Sequence, residues 1–324
     1  SDQFMWSHKD FLFINSAGND GALGGSGSST AKNVVAVGAV VSAGAGGLGG
    51  ANTRATYSSY GRCADGRLFP TLVAPGGANL PSSYDIYSAD GEVTAGNKEM
   101  AGTSMATPIA AGACALLRQY LTEGWYPTGL KVAADGFIPS GALMKALLAI
   151  SCDTTTVTHG SFTPDSLFGW GRPNLDTALF FSGDQVKLLL NDNRAGINTG
   201  EAMEYQVRIP AGATGLKVCL NWTDYPGSAT AALAIVNNLD LDVYEPATAA
   251  TPRRFRGNKF QNAVAGRQSD SLATVNDLID VMEGVKVKAP KTGTWRILVT
   301  GKNVAMGPQP FALVITYRTL QPAA

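Results

Sequence analysis

The spacing of apolar positions changes character partway along the chain. Up to about Ala178 they come in short unbroken runs or at helical intervals, and from Glu204 onward they alternate with polar residues. Phe11-Leu12-Phe13-Ile14 and the Val-rich stretch Ala31 to Val40 read as buried parallel strands, because a strand covered on both faces shows no alternation. Gly102 is followed by Pro108 and then by the small and apolar run Ile109 to Leu117. That order predicts a tight turn leading into a buried helix that ends near Leu121. Ser140 stands before Gly141 to Ile150, whose helical spacing and N-cap residue predict a second core helix. In the later part, segments 204–209, 216–222, 241–244, 285–288, 294–299 and 311–317 alternate and are divided by Gly, Pro and Asn. Short alternating strands with turn signals predict an antiparallel β-sandwich. The expected architecture is an α/β unit over residues 1–183 and a β-sandwich over 184–324, with the boundary near Ser182-Gly183-Asp184.

Composition narrows the function classes. The chain has 324 residues, 45% of them hydrophobic and 15% charged, enough for two units that each bury a core. Lys plus Arg equals Asp plus Glu at 25 each, so charge gives no reason to expect nucleic acid or an anionic membrane as partner. No apolar run has the length of a membrane-spanning helix. Glycine-rich 44–50 carries no hydrophobic period and is expected to be a surface loop. The four cysteines, Cys63, Cys114, Cys152 and Cys219, show no C-x-x-C spacing, which argues against zinc. Burial as single thiols is the favoured reading, with a Cys114–Cys152 pair open if the two helices touch.

The candidate chemistry starts at Ser104. On the first turn of its helix, its hydroxyl would lie near unpaired backbone N–H groups and the positive end of the helix dipole, which suits a nucleophile. Ala106, Ala110, Ala111 and Gly112 equally suit a helix packed closely on a sheet with no chemistry at all. Asn19 follows the first expected strand, where α/β sheets bind ligands beyond their carboxyl ends, and its amide NH2 could donate to a developing oxyanion. As part of Asn19-Asp20-Gly21 it also has the composition of a plain turn.

Gly102-Thr103-Ser104-Met105-Ala106-Thr107-Pro108 resembles the nucleophile block of the subtilisin-like serine proteases, and Ala17-Gly18-Asn19-Asp20-Gly21 resembles their oxyanion-asparagine block, in the family's order. Segments 31–40, 57–61 and 72–76 also resemble the family, and Phe168-Gly169-Trp170-Gly171-Arg172-Pro173-Asn174 resembles the close of its catalytic domain. The resemblance implies a subtilisin-like, mostly parallel sheet with helices on both faces and its N-terminal part missing. It also implies a serine endopeptidase acting on polypeptides through a Ser104 acyl-enzyme. Asn19, the Ser104 N–H and the Thr103 hydroxyl would face the oxyanion, and Ser16, Ala17 and Gly18 would line one wall of the primary specificity pocket. The later part resembles the jelly-roll-like C-terminal domain of some alkaline subtilases, through Trp222-Thr223-Asp224-Tyr225-Pro226 and Val236-Asn237-Asn238-Leu239-Asp240-Leu241-Asp242. Related domains bind calcium at such motifs, which makes Asp224, Asn238 and Asp240 the calcium candidates; a solvated polar strand face is the alternative. Asn221-Trp222-Thr223 has the form of a glycosylation sequon inside an expected strand.

A serine hydroxyl needs a histidine to accept its proton and a carboxylate to orient that histidine. The chain has two histidines. Neither His8 nor His159 stands in a family-like block, and the family's aspartate block is absent as well. The expectation is one piece of a larger enzyme, with the catalytic Asp and His on an upstream segment or a separate chain and secretion implied by the resemblance. The alternative is a non-catalytic pseudoprotease or binding protein that presents the sandwich to a partner.

Overall fold

A computed structural model describes residues 1–25, 27–42, 53–78, 85–92, 95–153, 164–228, 230–247, 251–261 and 268–320. Stretch 44–50 and His159 lie outside the described residues. The first part contains α1 (Asp2–Ser7), β1 (Ile14–Ser16), β2 (Val35–Val40), β3 (Leu72–Pro75), α2 (Thr103–Thr122) and α3 (Gly141–Ser151). β1, β2 and β3 form one parallel sheet in that order, with Asn15 opposite Ala36 and Ala39 opposite Ala74. Every residue of β2 is buried, which explains why its sequence does not alternate. Ala106, Ala110 and Leu117 of α2 join β2 and β3 in one apolar cluster, so the small side chains bring the helix close to the sheet.

The first strand starts later than its sequence suggests. Phe11 is exposed and belongs to an aromatic group, with its ring set edge-on to Phe4 and stacked on Phe13. The rings therefore satisfy one another outside the sheet, and pairing begins only at Ile14.

The later part contains β4 (Val186–Ile197), β5 (Ala202–Ile209), β6 (Thr214–Asn221), β7 (Asn237–Tyr244), β8 (Arg254–Arg256), β9 (Met282–Val287), β10 (Gly293–Val304) and β11 (Gln309–Arg318). They make two four-stranded antiparallel sheets, β4-β11-β6-β9 and β5-β10-β7-β8. Val218, Leu220, Leu313 and Ile315 of the first sheet share a core with Leu241, Val243, Ile297 and Val299 of the second. The intervening Cys219, Ala312 and Val314 point the other way, onto α3. The period of two in these strands thus separates two buried faces instead of one buried and one wet.

That second face explains α3, every residue of which is buried. Ser140 caps it by accepting a hydrogen bond from the Leu143 N–H at 2.9 Å. Lys217 of β6 donates to the Ile150 carbonyl at its far end, and Asn221 donates to the Ala142 carbonyl at its near end. Asn221 is 1% exposed, so its sequon lies in the interior. All four cysteines are free and buried; Cys152 donates its thiol proton to the Leu148 carbonyl and does not pair with Cys114.

Candidate active site

Ser104 is positioned by hydrogen bonds between the end of β3 and the turn before α2. Gly102 donates its N–H to the Gly76 carbonyl at 2.8 Å. The Tyr57 hydroxyl lies 2.6 Å from that same carbonyl and 2.8 Å from the Gly77 carbonyl. Its burial pushes the phenol up to about 12, so it remains a donor at any working pH. A side chain at Gly76 would put its Cβ 2.6 Å from the Ala39 Cβ and 2.8 Å from the Gly102 oxygen, so only glycine allows this approach. Gly102 itself has φ +153, a conformation other residues rarely adopt, and it is the N-cap of α2 without a side-chain cap. Ser104 follows on the first helical turn with its side chain exposed.

Asn19 reaches this turn from the carboxyl end of β1. Its Oδ1 accepts from the Thr103 N–H at 3.0 Å and from the Thr103 hydroxyl at 2.9 Å. The Thr103 oxygen in turn accepts from the Gly18 N–H at 3.2 Å. With Oδ1 held from two sides, the amide NH2 is the end of Asn19 without a partner among the described residues, and it lies 3.4 Å from where a Gly102 Cβ would be. The hydroxyl has one proton and directs it at Asn19, so Thr103 orients the amide instead of adding a second donor beside it.

Gly18, Asn19, Thr103 and Ser104 are therefore brought together. Ser16 is half-buried, and its N–H donates to Asn15 Oδ1. Ala17 turns inward and packs with Ala36, Cys63 and Phe69, so only its backbone is available to a substrate wall. His8 ends α1 stacked on Phe4, with Nδ1 at 3.0 Å from the Phe4 carbonyl. Among the described residues no side chain hydrogen-bonds the Ser104 hydroxyl. A cavity of about 440 Å³ lies elsewhere, between the first part and the later strands, lined by Arg67, Phe69, Lys145, Trp170 and Asp280 among others.

The three calcium candidates do not share one ligand set. Asp224 faces a lysine: its Oδ2 is 2.7 Å from Lys32 Nζ and accepts from the Val236 N–H, while Oδ1 accepts from the Tyr225 and Asn237 N–H groups. Asn238 and Asp240 are 8% and 4% exposed, which removes the solvated-face alternative, and each keeps a buried Oδ1 without a hydrogen-bond partner. Asp242, on the same strand face, is bound by both nitrogens of the Arg254 fork. Among the described residues no three His, Cys, Asp or Glu side chains stand close enough to hold a metal ion.

Sequence reasoning overlooked Tyr57, Gly76 and Lys32. Gly76-Gly77 directly after a strand was a readable signal of close backbone approach. Nothing local marks Tyr57 or Lys32, because their partners are remote in sequence.

The family model described as the Subtilase family, peptidase S8, matches residues 1–171. The chain is 28% identical over 316 residues to "Serine protease/ABC transporter B family protein tagD" of Dictyostelium discoideum, covering 81% of this chain and 17% of that protein. It is 33% identical over 114 residues to "Extracellular serine proteinase" of Thermus sp. (strain Rt41A), covering 35% and 21%. Among solved structures, that of the prenylagaramide maturation protease PagA matches with 24% identity and a TM-score of 0.36 over 53% of this chain and 50% of the other. The chain spans about a sixth of the length of the tagD protein. No helix among the described residues is long and apolar enough to cross a membrane. The match to more than half of the chain covers Asn19, Thr103 and Ser104, where the hydrogen-bonded turn is built, and places this protein in the subtilase family.

Proposed function

We propose that the chain is the nucleophile-bearing part of a serine endopeptidase, with a β-sandwich over residues 184–324. The observation that carries this reading is the Asn19 side chain, held by Thr103 with its NH2 free, beside a Ser104 exposed on the first turn of α2. Ser104 attacks the scissile carbonyl of a polypeptide, the Asn19 NH2 and the Ser104 N–H donate to the oxyanion, and water then hydrolyses the acyl-enzyme. One such side-chain donor is worth about 3 to 4 kcal/mol of transition-state stabilisation. The backbone at Ser16, Ala17 and Gly18 lies along the strand end next to Asn19 and forms one wall for the substrate.

The general base and its aspartate come from an upstream segment or a separate chain. Two features support a further piece packing here. From Thr103 to Leu117 α2 is apolar or small on all sides, yet Ile109 is 40% and Leu116 is 56% exposed, as expected of a helix built to be covered. Among the described residues β1 pairs only with β2 and ends the sheet. Secretion belongs to the same reading, by analogy with the extracellular Thermus relative. Structural calcium belongs to it for Asn238 and Asp240, whose unpartnered oxygens suit a hard cation.

Labelling with a fluorophosphonate probe tests the proposal, comparing this chain alone, the chain with any co-purifying polypeptide, and Ser104→Ala. Labelling that requires both the second polypeptide and Ser104 is the expected result. No labelling in any arm would replace it with the pseudoprotease reading.

A further inference from the structure

The oxygen atoms around Asp224 form a closed cage, and the cation inside it belongs to the protein. Lys32 Nζ lies 2.7 Å from Asp224 Oδ2, 2.5 Å from the Tyr225 carbonyl and 2.5 Å from the Ala234 carbonyl. An ammonium has three protons, and here three oxygens receive them. Neither side chain of the pair has any solvent exposure. The backbone on both sides is held as well. Asn33 donates Nδ2 to the Asp224 carbonyl and accepts the Asp224 N–H on Oδ1, each at 2.9 Å. Lys145 braces the segment from below by donating to the carbonyls of Lys32 and Val34 at 3.0 and 3.1 Å. Trp6 covers the loop with its ring edge-on to Tyr225.

We infer that Asp224 Oδ2, the Tyr225 carbonyl and the Ala234 carbonyl constitute a monovalent-cation site whose resident ligand is the Lys32 ammonium, locking the first part of the chain onto the backbone that carries Asp224, Tyr225 and Ala234. Two consequences distinguish this from an ordinary buried ion pair. First, Asp224 takes no part in calcium binding, because its oxygens are filled by Lys32 and by the three backbone N–H groups of Tyr225, Val236 and Asn237. Second, two of the cage oxygens are backbone carbonyls and the carboxylate oxygen is held by the Val236 N–H, so cutting back Lys32 leaves a pocket that accepts a small primary ammonium ion. A divalent cation fits it poorly, since three ligands with a single carboxylate fall short of the six to eight oxygens calcium takes.

The experiment is thermal unfolding followed by tryptophan fluorescence, on wild type and Lys32→Ala. Removing the lysine leaves a buried carboxylate unpaired, with an expected fall in Tm of about 10 °C. Ethylammonium chloride should recover most of that loss, whereas tetramethylammonium chloride at the same concentration, with no N–H to donate, should not. Neither salt should shift the wild type differently from the other. If Lys32→Ala does not fold, the same two salts are compared by refolding yield, and a higher yield with ethylammonium is the supporting result. Equal effects of the two salts in either format overturn the inference. In a calcium titration, any calcium-induced shift in Tm should be the same in wild type and in Asp224→Asn; a shift that vanishes with Asp224→Asn would assign the cage to calcium and overturn it too.

Discussion

In the role proposed for it, Asn19 shows how little freedom an oxyanion-donating amide needs to have. Two bonds from Thr103 fix its oxygen, so which end donates is decided before any substrate arrives. Asn19→Leu in the complete enzyme should lower kcat by about 10²- to 10³-fold with little change in KM, measured by steady-state peptide hydrolysis. Thr103→Val removes the hydroxyl donor but keeps the backbone one, and a loss of about tenfold in kcat is expected, equal to one hydrogen bond. Equal losses for the two variants would mean that Thr103 acts at the oxyanion itself and would reject its orienting role. The identities of Ser104 and Asn19 were legible in the sequence because each lies in a short contiguous block. Tyr57 was not, since its carbonyl partners at Gly76 and Gly77 meet it only after β3 has paired with β2.

At the scale of elements, α2 and α3 read alike in the sequence and end in different surroundings. α3 is enclosed by α2 and by the outer face of β6 and β11, and Leu147 is fully buried there. Leu147→Ala should cost about 2 to 5 kcal/mol in denaturant unfolding. Ser140→Ala should cost about 1 kcal/mol through the lost cap. Leu116 of α2, by contrast, is exposed, and Leu116→Gln should change stability by less than about 0.5 kcal/mol. The same variant should weaken the fluorophosphonate labelling that depends on a second polypeptide; unchanged labelling would remove α2 from that contact. Periodicity identified α2, α3 and most strands, but α1, β4 and β8 were missed. β8 is only three residues long, and β4 mixes half-buried and exposed positions without a clean period.

For the whole molecule, the buried charges predict a pH profile. Burial lowers the ammonium groups of Lys145, Lys217 and Lys286 from 10.5 to about 8 each. Between these values the unfolded chain holds protons that the folded chain has released, so stability rises with pH from about 8 upward. Asp280 works in the opposite direction over a lower range. Burial, helped by the neighbouring Asp277 carboxylate, pushes it up to about 8, so the folded chain keeps a proton the unfolded chain loses. Its contribution is complete at acid pH and disappears as pH rises toward 8. Together these groups favour a shallow minimum in Tm near pH 8, with recovery toward pH 10. Lys217→Met should flatten the alkaline limb of the Tm profile, and a continuous decline from pH 8 to 10 in the wild type would contradict the assignment.

The sequence by itself determined the family, the family-like blocks around Asn19 and Ser104, and the change from unbroken apolar runs to alternating ones. These are local properties: a motif needs only its neighbours in the chain, and a hydrophobic period needs only one face to be apolar. The tertiary structure decided which face of β6 and β11 meets α3, which end of Asn19 is free, and that Asp224 meets Lys32. Each of those depends on groups far apart in sequence whose bonds exist only once the sheets have packed. A carboxylate reads the same in a sequence whether its partner is to be calcium, water or a lysine. The three oxygens around the Lys32 ammonium show which one it is here.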